Sequence, residues 1–275
     1  VKAHYVTVAI QFDAAGKDFV DFKVPVWTPG SYKVREFSKG YENVEAGEAK
    51  VIRTNKNTWR IDTKDKRMLT LRYDVYCFAI SARESYADEN YAFLHSVSAF
   101  GYLEGYEQEE IVLKIVPYSG WQNVEVALPQ SKAMGYVFTC KNYDLLADSP
   151  IALGTFDATE YSSGGTPHKI VMIGKGNYDL KIIQKDFKKI SDSQVAMMGE
   201  HPSDRYIHFI YNVGSGDGGL EHLNCQTSVM PRWNYTNPGR YRGFLGLIAH
   251  EYFHLWNVKR IRPIQLGPFN YNTEV

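Results

Sequence analysis

From Tyr5 to about Val116 the chain alternates apolar and polar residues in runs about one strand long, and this period of two constrains the fold more than any other feature. The runs are YVTVAIQF, DFVDFKVPVW, TWRI, MLTLRYDVYCF and EEIVLKIVP. Between them stand DAAGKD, TPGSY, TNKN and DTKDK, whose Gly, Pro, Asn and Asp residues suit turns. Tyrosine is plentiful, twenty in all, and aromatic side chains fit a pleated, half-buried surface. A β-sandwich-like domain with irregular strand spacing is expected. GYVFTC, ALGTFDATEY and HKIVMIG extend the pattern, broken by the turn SSGGTP around Gly164.

The period then changes. Between Asn177 and Gly199, Leu180, Ile183, Phe187 and Ile190 recur at steps of three and four, which predicts a helix with one apolar face. The expected boundary lies just before it, dividing the chain into residues 1–172 and 173–275 and making the fold class α+β. RYIHFIYNV reads as a strand, GSGDGG as a link and LEHLNCQTSVM as a second strand paired with the first. Asn237 suits a helix cap and Pro238 a first helical position, so a helix is expected from there to Val258, with Pro263 barring its continuation.

Several function classes lose support. At 275 residues the chain is long enough for two domains with a substantial core. Thirty-one basic and thirty-one acidic side chains cancel, and the longest basic cluster is Lys185 to Lys189, so neither nucleic acid nor an anionic membrane is an expected partner. No apolar run approaches the roughly 20 residues of a membrane helix, and insertion is not expected. Cys77, Cys140 and Cys225 are few and far apart, which argues against a disulfide framework or a cysteine-built zinc site and leaves one bridge open. The opening residues read as a strand, so the chain is expected to start inside a folded domain; cytoplasmic and periplasmic locations both stay open.

The chemistry concentrates in HEYFH, residues 250 to 254. On a helix, His250 and His254 project one turn apart from one face and can present ring nitrogens to a single zinc. Glu251 lies about 100° round the helix, within reach of a water at the metal, and would act as general base. With eight histidines, chance placement gives this pattern in on the order of one such chain in a hundred. The bland alternative is a buried helix whose histidines merely hydrogen-bond, yet two histidines and a carboxylate among Phe244, Leu247, Ile248 and Trp256 need something to satisfy them. Upstream, GGLEH offers Glu221 as an anchor for a peptide's free ammonium, with Gly218 and Gly219 admitting close backbone approach. An ordinary turn followed by a solvated glutamate explains the same residues.

The combination of GGLEH with HEYFHLWNVKRIRP resembles the glycyl aminopeptidase family, relatives of aminopeptidase N among the zinc peptidases whose third ligand is a glutamate. The stretch VPVWTPGSYKVREFSKGYENVEA is similar to that family's first domain, so the likeness spans nearly the whole chain. The resemblance implies a β-rich amino-terminal domain followed by the first half of a thermolysin-like zinc peptidase domain. It also implies removal of amino-terminal residues, Gly or Ala by preference, from a peptide substrate. Carried over, His250 and His254 are the metal ligands, Glu251 the base, and Glu221 with Gly219 the amino-terminus site. One departure stands out: the family's third ligand lies in a Trp-x-x-Glu-Gly stretch, and none occurs before Val275. Glu274, twenty residues past His254, is a weak candidate set aside because the IRPIQLGPFNYN linker pushes the ligand helix further on. The chain therefore reads as a fragment whose partner is the missing carboxy-terminal part of the same protein.

Elsewhere, His208 reads as a strand residue, His222 as a partner of a ligand or an edge residue, and Cys225 as core, with a Cys225–His222 nucleophile the weakest alternative. WTPGSY, Trp27 to Tyr32, reads as a structural turn that could also face a cleft. Lys259, Arg260 and Arg262 are expected to pair with carboxylates. The leading functional expectation is a zinc aminopeptidase. Its rivals are a zinc endopeptidase with an open cleft and a non-catalytic peptide-binding module with a decayed zinc site.

Overall fold

The computed structural model describes residues 2–131 and 135–273. The amino-terminal alternation becomes sheet. In β6 (Met68–Tyr76) Leu69, Leu71, Tyr73 and Val75 are buried while Met68, Thr70 and Arg72 face out, so the strand covers a core with one face only. It pairs antiparallel with β1 (Tyr5–Asp13), Val8 opposite Tyr73 and Phe12 opposite Leu69, and on its other side with β3 (Tyr41–Glu45). A second sheet runs in the order β4 (Val51–Asn55), β5 (Thr58–Asp62), β2 (Phe19–Lys23), β9 (Tyr102–Leu103). One core joins these two sheets through Val8, Phe22, Ile61, Leu71 and Tyr73. The same core takes in Phe138 of the short pair β10 (Ile111–Ile115) and β12 (Tyr136–Cys140), and Tyr143 of α2 (Tyr143–Ala147). It also includes Val97 of α1 (Ser96–Ala99).

A third sheet, in the order β11 (Asn123–Val126), β13 (Ile151–Gly154), β8 (Tyr91–Leu94), β7 (Tyr86–Ala87), carries the chain to the second half. Phe93 and Ala152 from this sheet pack on Val171, Phe209, Tyr211, Leu220 and Val229 of a five-stranded sheet. That sheet has the order β14 (Asp157–Ser163), β15 (Thr166–Ile173), β16 (Tyr206–Val213), β18 (Cys225–Pro231), β17 (Gly218–Glu221). Its opposite face, through Ile170, Met172, Ile210 and Met230, receives Ile183 and Phe187 of α3 (Leu180–Met198) and Phe244 and Ile248 of α4 (Pro238–Phe253). The chain is thus predominantly β with few helices, as expected.

Three expectations need correction. The boundary near 173 cuts the five-stranded sheet, because β15 pairs with β16 from His168↔Tyr206 to Ile173↔Tyr211; only between Gly154 and Asp157 does the chain pass from one sheet to the next without cutting either. LEHLNCQTSVM does not form a strand paired antiparallel with β16. It spans two strands: β17 turns back on β18, and β18 lies parallel to β16, Phe209 opposite Thr227. All eight residues of β16 are buried, as a central strand covered on both faces and paired on both edges requires. Finally, α4 ends at Phe253 rather than Val258, and the following residues continue as turns. The three cysteines are free and buried. Among the described residues no helix is long and apolar enough to cross a membrane.

Candidate metal centre

The helix that carries HEYFH starts as its sequence suggests. The Asn237 side-chain oxygen accepts from the Arg240 N–H at 3.0 Å and Pro238 occupies the first turn, satisfying one of the orphan donors at the helix start. Phe244, Ile248, Glu251 and Tyr252 form its buried face. Gln194 of α3 donates to Ala249 O at 2.8 Å, and the Tyr252 hydroxyl donates to His168 Nε2, also at 2.8 Å. The helix is therefore fixed against rotation on both sides of the motif.

His250 is exposed and His254 half-buried at the helix end, where its backbone is still right-handed (φ −60°, ψ −16°), so the two rings remain one turn apart. His254 Nδ1 lies 2.6 Å from the Asn257 carbonyl, which accepts its N–H and leaves the Nε2 lone pair free. That Nε2 stands 3.2 Å from His250 Nε2. Two imidazoles on one tetrahedral zinc, each bond near 2.0–2.1 Å, hold their nitrogens about 3.3 Å apart, so the pair fits a single ion with little adjustment. Ligand atoms of His250, Glu251 and His254 all lie within 4.8 Å of one another.

Glu251 points the other way, onto β17, and is 5% exposed. Gly219 is the residue beneath it: a Cβ there would stand under 3.0 Å from the Glu251 carboxylate, so only glycine leaves that carboxylate its place. Residues two apart share one face of a strand, so the Glu221 side chain emerges beside Gly219 on the helix side. Burial first, and the Glu221 charge second, push the Glu251 pKa up to about 7, while Arg83 opposes the shift. Glu221 is 6% exposed, and no hydrogen bond or ion pair to its carboxylate exists among the described residues. The aromatic loop at Trp27 does reach this place. Gly30, in a left-handed conformation at φ 87°, lies flat against Glu221, where a Cβ would meet both carboxylate oxygens within 2.9 Å. Pro29, Gly30, Glu221, Lys259, Arg262 and Phe269 line a narrow crevice of about 10 Å³.

The motif residues His250, Glu251 and His254 thus lie together, with Gly219 against Glu251 and the Glu221 charge close enough to act on it, while Glu274 lies outside the described residues. His208 is buried in β16 with Nε2 2.7 Å from the Tyr161 hydroxyl, and His222 Nδ1 turns to Asp148 at 3.2 Å, away from the motif. Cys225 is fully buried, and burial pushes its thiol well above the ordinary range, which leaves it unreactive. Lys259 pairs with Asp148, whereas Arg260 donates to the carbonyls of Leu255 and Pro202 and Arg262 lies over the Phe269 ring. Sequence reasoning missed Arg83. Its Nη2 donates to Gly219 O at 2.8 Å from the loop before β7, 136 residues away, and no local pattern marks it.

Residues 1–155 match the family profile described as the Peptidase M61 N-terminal domain, and residues 243–275 match that of M61 glycyl aminopeptidase. No curated protein sequence matches the chain. Among solved structures it is similar to the aminopeptidase N family protein from Idiomarina loihiensis, with a TM-score of 0.93 and 29% identity over 99% of this chain and 49% of that one. The fold is also similar to yeast LTA4 hydrolase solved with bestatin, at a TM-score of 0.54 and 13% identity over 92% of this chain and 41% of that one. The chain spans about half the length of the Idiomarina protein. With its amino-terminal profile alone covering more than half of the sequence, this chain belongs to the M61 glycyl aminopeptidase family.

Proposed function

We propose that the protein is a zinc-dependent aminopeptidase that removes amino-terminal residues, Gly or Ala, from peptides. The observation that carries this reading is Glu221, a buried carboxylate with no ion pair among the described residues and set beside Glu251 of the His250–Glu251–His254 cluster, where a substrate ammonium would pair with it. His250 and His254 would hold the metal through Nε2. Zinc, when bound, supplies Lewis-acid polarisation of the scissile carbonyl and of a water molecule. Glu251 takes a proton from the attacking water and returns it to the leaving amine, and a pKa near neutrality suits a group that must do both. Glu221 holds the α-ammonium, and Gly219 lets the backbone come close. The third zinc ligand belongs to the half of the relatives' length that the chain does not match. In this reading residues from about 156 onward form the first half of a thermolysin-like catalytic domain and the preceding residues the amino-terminal domain.

The test pairs a substrate with its blocked twin. Cleavage of glycyl-p-nitroanilide and failure on the N-acetylated form is expected, with Glu251→Gln lowering kcat at least about 100-fold. Equal cleavage of the acetylated form would point to an endopeptidase instead, and full activity of Glu251→Gln would sink the mechanism.

A further inference from the structure

Arg83, which faces Glu251, and Arg35 beside it are half-buried and form no ion pair among the described residues, as is also true of Arg232, whereas half-buried Arg205 is bound to Glu125. Arg83 uses one donor on Gly219 O, and its Nη1 comes within 3.6 Å of where a Gly218 Cβ would be. Its remaining donors have no protein acceptor. Arg35 bonds Ser31 Oγ through Nη2 at 2.9 Å, and its Nε is buried with no partner. Burial first, then the charge on Arg83, pull the Arg35 pKa down, with Glu84 offsetting only part. Two guanidinium groups close enough to repel, one with a buried unsatisfied donor, would be stabilised by an anion added to the Glu84 and Glu251 carboxylates already near them.

We propose that Arg83, with Arg35 behind it, binds the free C-terminal carboxylate of a two- or three-residue peptide whose amino group sits at Glu221. This rests on the aminopeptidase reading for its substrate and deepens it to a length class. The ruler is β17. Gly219 lies two strand residues from Glu221 and Gly218 three, roughly 7 and 10 Å along the strand, and an extended peptide residue spans at most about 3.6 Å. Backbone groups of Gly219 and Glu221 point to the edge away from β18, because His222 N–H already bonds Cys225 O and the pairing alternates from there; Gly219 O accepts from Arg83, which leaves the Gly219 N–H and the Glu221 groups for a peptide. A peptide laid along that edge with its ammonium at Glu221 ends at Arg83 after two or three residues. A longer peptide would have to carry uncharged backbone past both guanidinium groups.

The experiment compares Gly-Ala with glycyl-alaninamide, which differ only in the terminal charge, on the full-length zinc-loaded protein. The acid is expected to be favoured at least about tenfold in kcat/KM, the usual worth of a charged hydrogen bond. Arg83→Gln should bring the ratio near one, and Arg35→Gln should lower it. Because the ratio is taken within each variant, a partly folded sample does not distort it. No preference in the wild type, or a preference that survives Arg83→Gln, overturns the proposal while leaving the aminopeptidase intact. If neither compound is cleaved, calorimetric binding of both to Glu251→Gln decides separately. A tighter acid supports the carboxylate site without the peptidase, and equal binding removes it.

Discussion

At the scale of the residue, Glu251 is governed by what touches it. Gly219 reserves its position, so Gly219→Ala should push the carboxylate aside rather than unfold the sheet, since the opposing atoms are the end of a flexible side chain. The expected result is a kcat reduced on the order of 100-fold with a melting temperature within a few degrees of wild type, measured in parallel on one preparation. The raised pKa also has a stability consequence in the metal-free protein. The folded state holds a proton to about pH 7 that the unfolded chain gives up near 4.5, so the carboxyl's contribution is fully present below 4.5 and lost as pH rises through 7. Glu251→Gln removes that loss. Urea unfolding should find the variant more stable than wild type by on the order of 3 kcal/mol at pH 8 and equal to it at pH 4.

At the scale of the element, α4 and β17 bring the motif residues together. The Asn237 cap fixes the start of α4 some three turns from His250, so Asn237→Ala should lower stability by about 1 kcal/mol in denaturant titrations while leaving the acid-to-amide ratio unchanged. Much of these elements was legible. The alternation in MLTLRYDVYCF survives as β6 because one face is wet, and Asn237–Pro238 marks the helix start because its chemistry is local. What could not be read was pairing. β16 and the segment after it look like a hairpin because sequence neighbours usually pair, but the parallel partner of β16 is β18, and β17 is pushed to the edge. An edge position is a property of the whole sheet, and it leaves the backbone groups of Gly219 and Glu221 directed away from β18. The period of the last helix also ran past its true end, because Leu255 and Trp256 are buried by turns after Phe253 as well as helix would bury them.

At the scale of the whole molecule, the two halves are joined by a buried charge. Asp148, at the end of α2, accepts from Lys259 Nζ at 2.9 Å, from the Leu223 N–H at 2.6 Å and from His222 Nδ1 at 3.2 Å. Burial alone would raise its pKa, but Lys259 and His222 outweigh it and hold Asp148 well below the usual carboxylate range. Its contribution is therefore present above the unfolded value of 3.8 and lost only as pH falls below it. Asp148→Asn, which strands Lys259, should destabilise the protein by about 3 kcal/mol at pH 7, and the difference should shrink below pH 4 in urea melts.

The sequence by itself determined the β-rich first half, the amphipathic α3, the capped α4 and the motif on it, because period, capping and i, i+4 spacing are short-range properties of the chain. Only the tertiary structure decided that Gly30 lies against Glu221, that Arg83 reaches Gly219, that Asp148 links α2 to Lys259 and that β14 and β15 join the second half. Each of these contacts unites residues that no local pattern connects; packing, charge and the closure of a sheet bring them together.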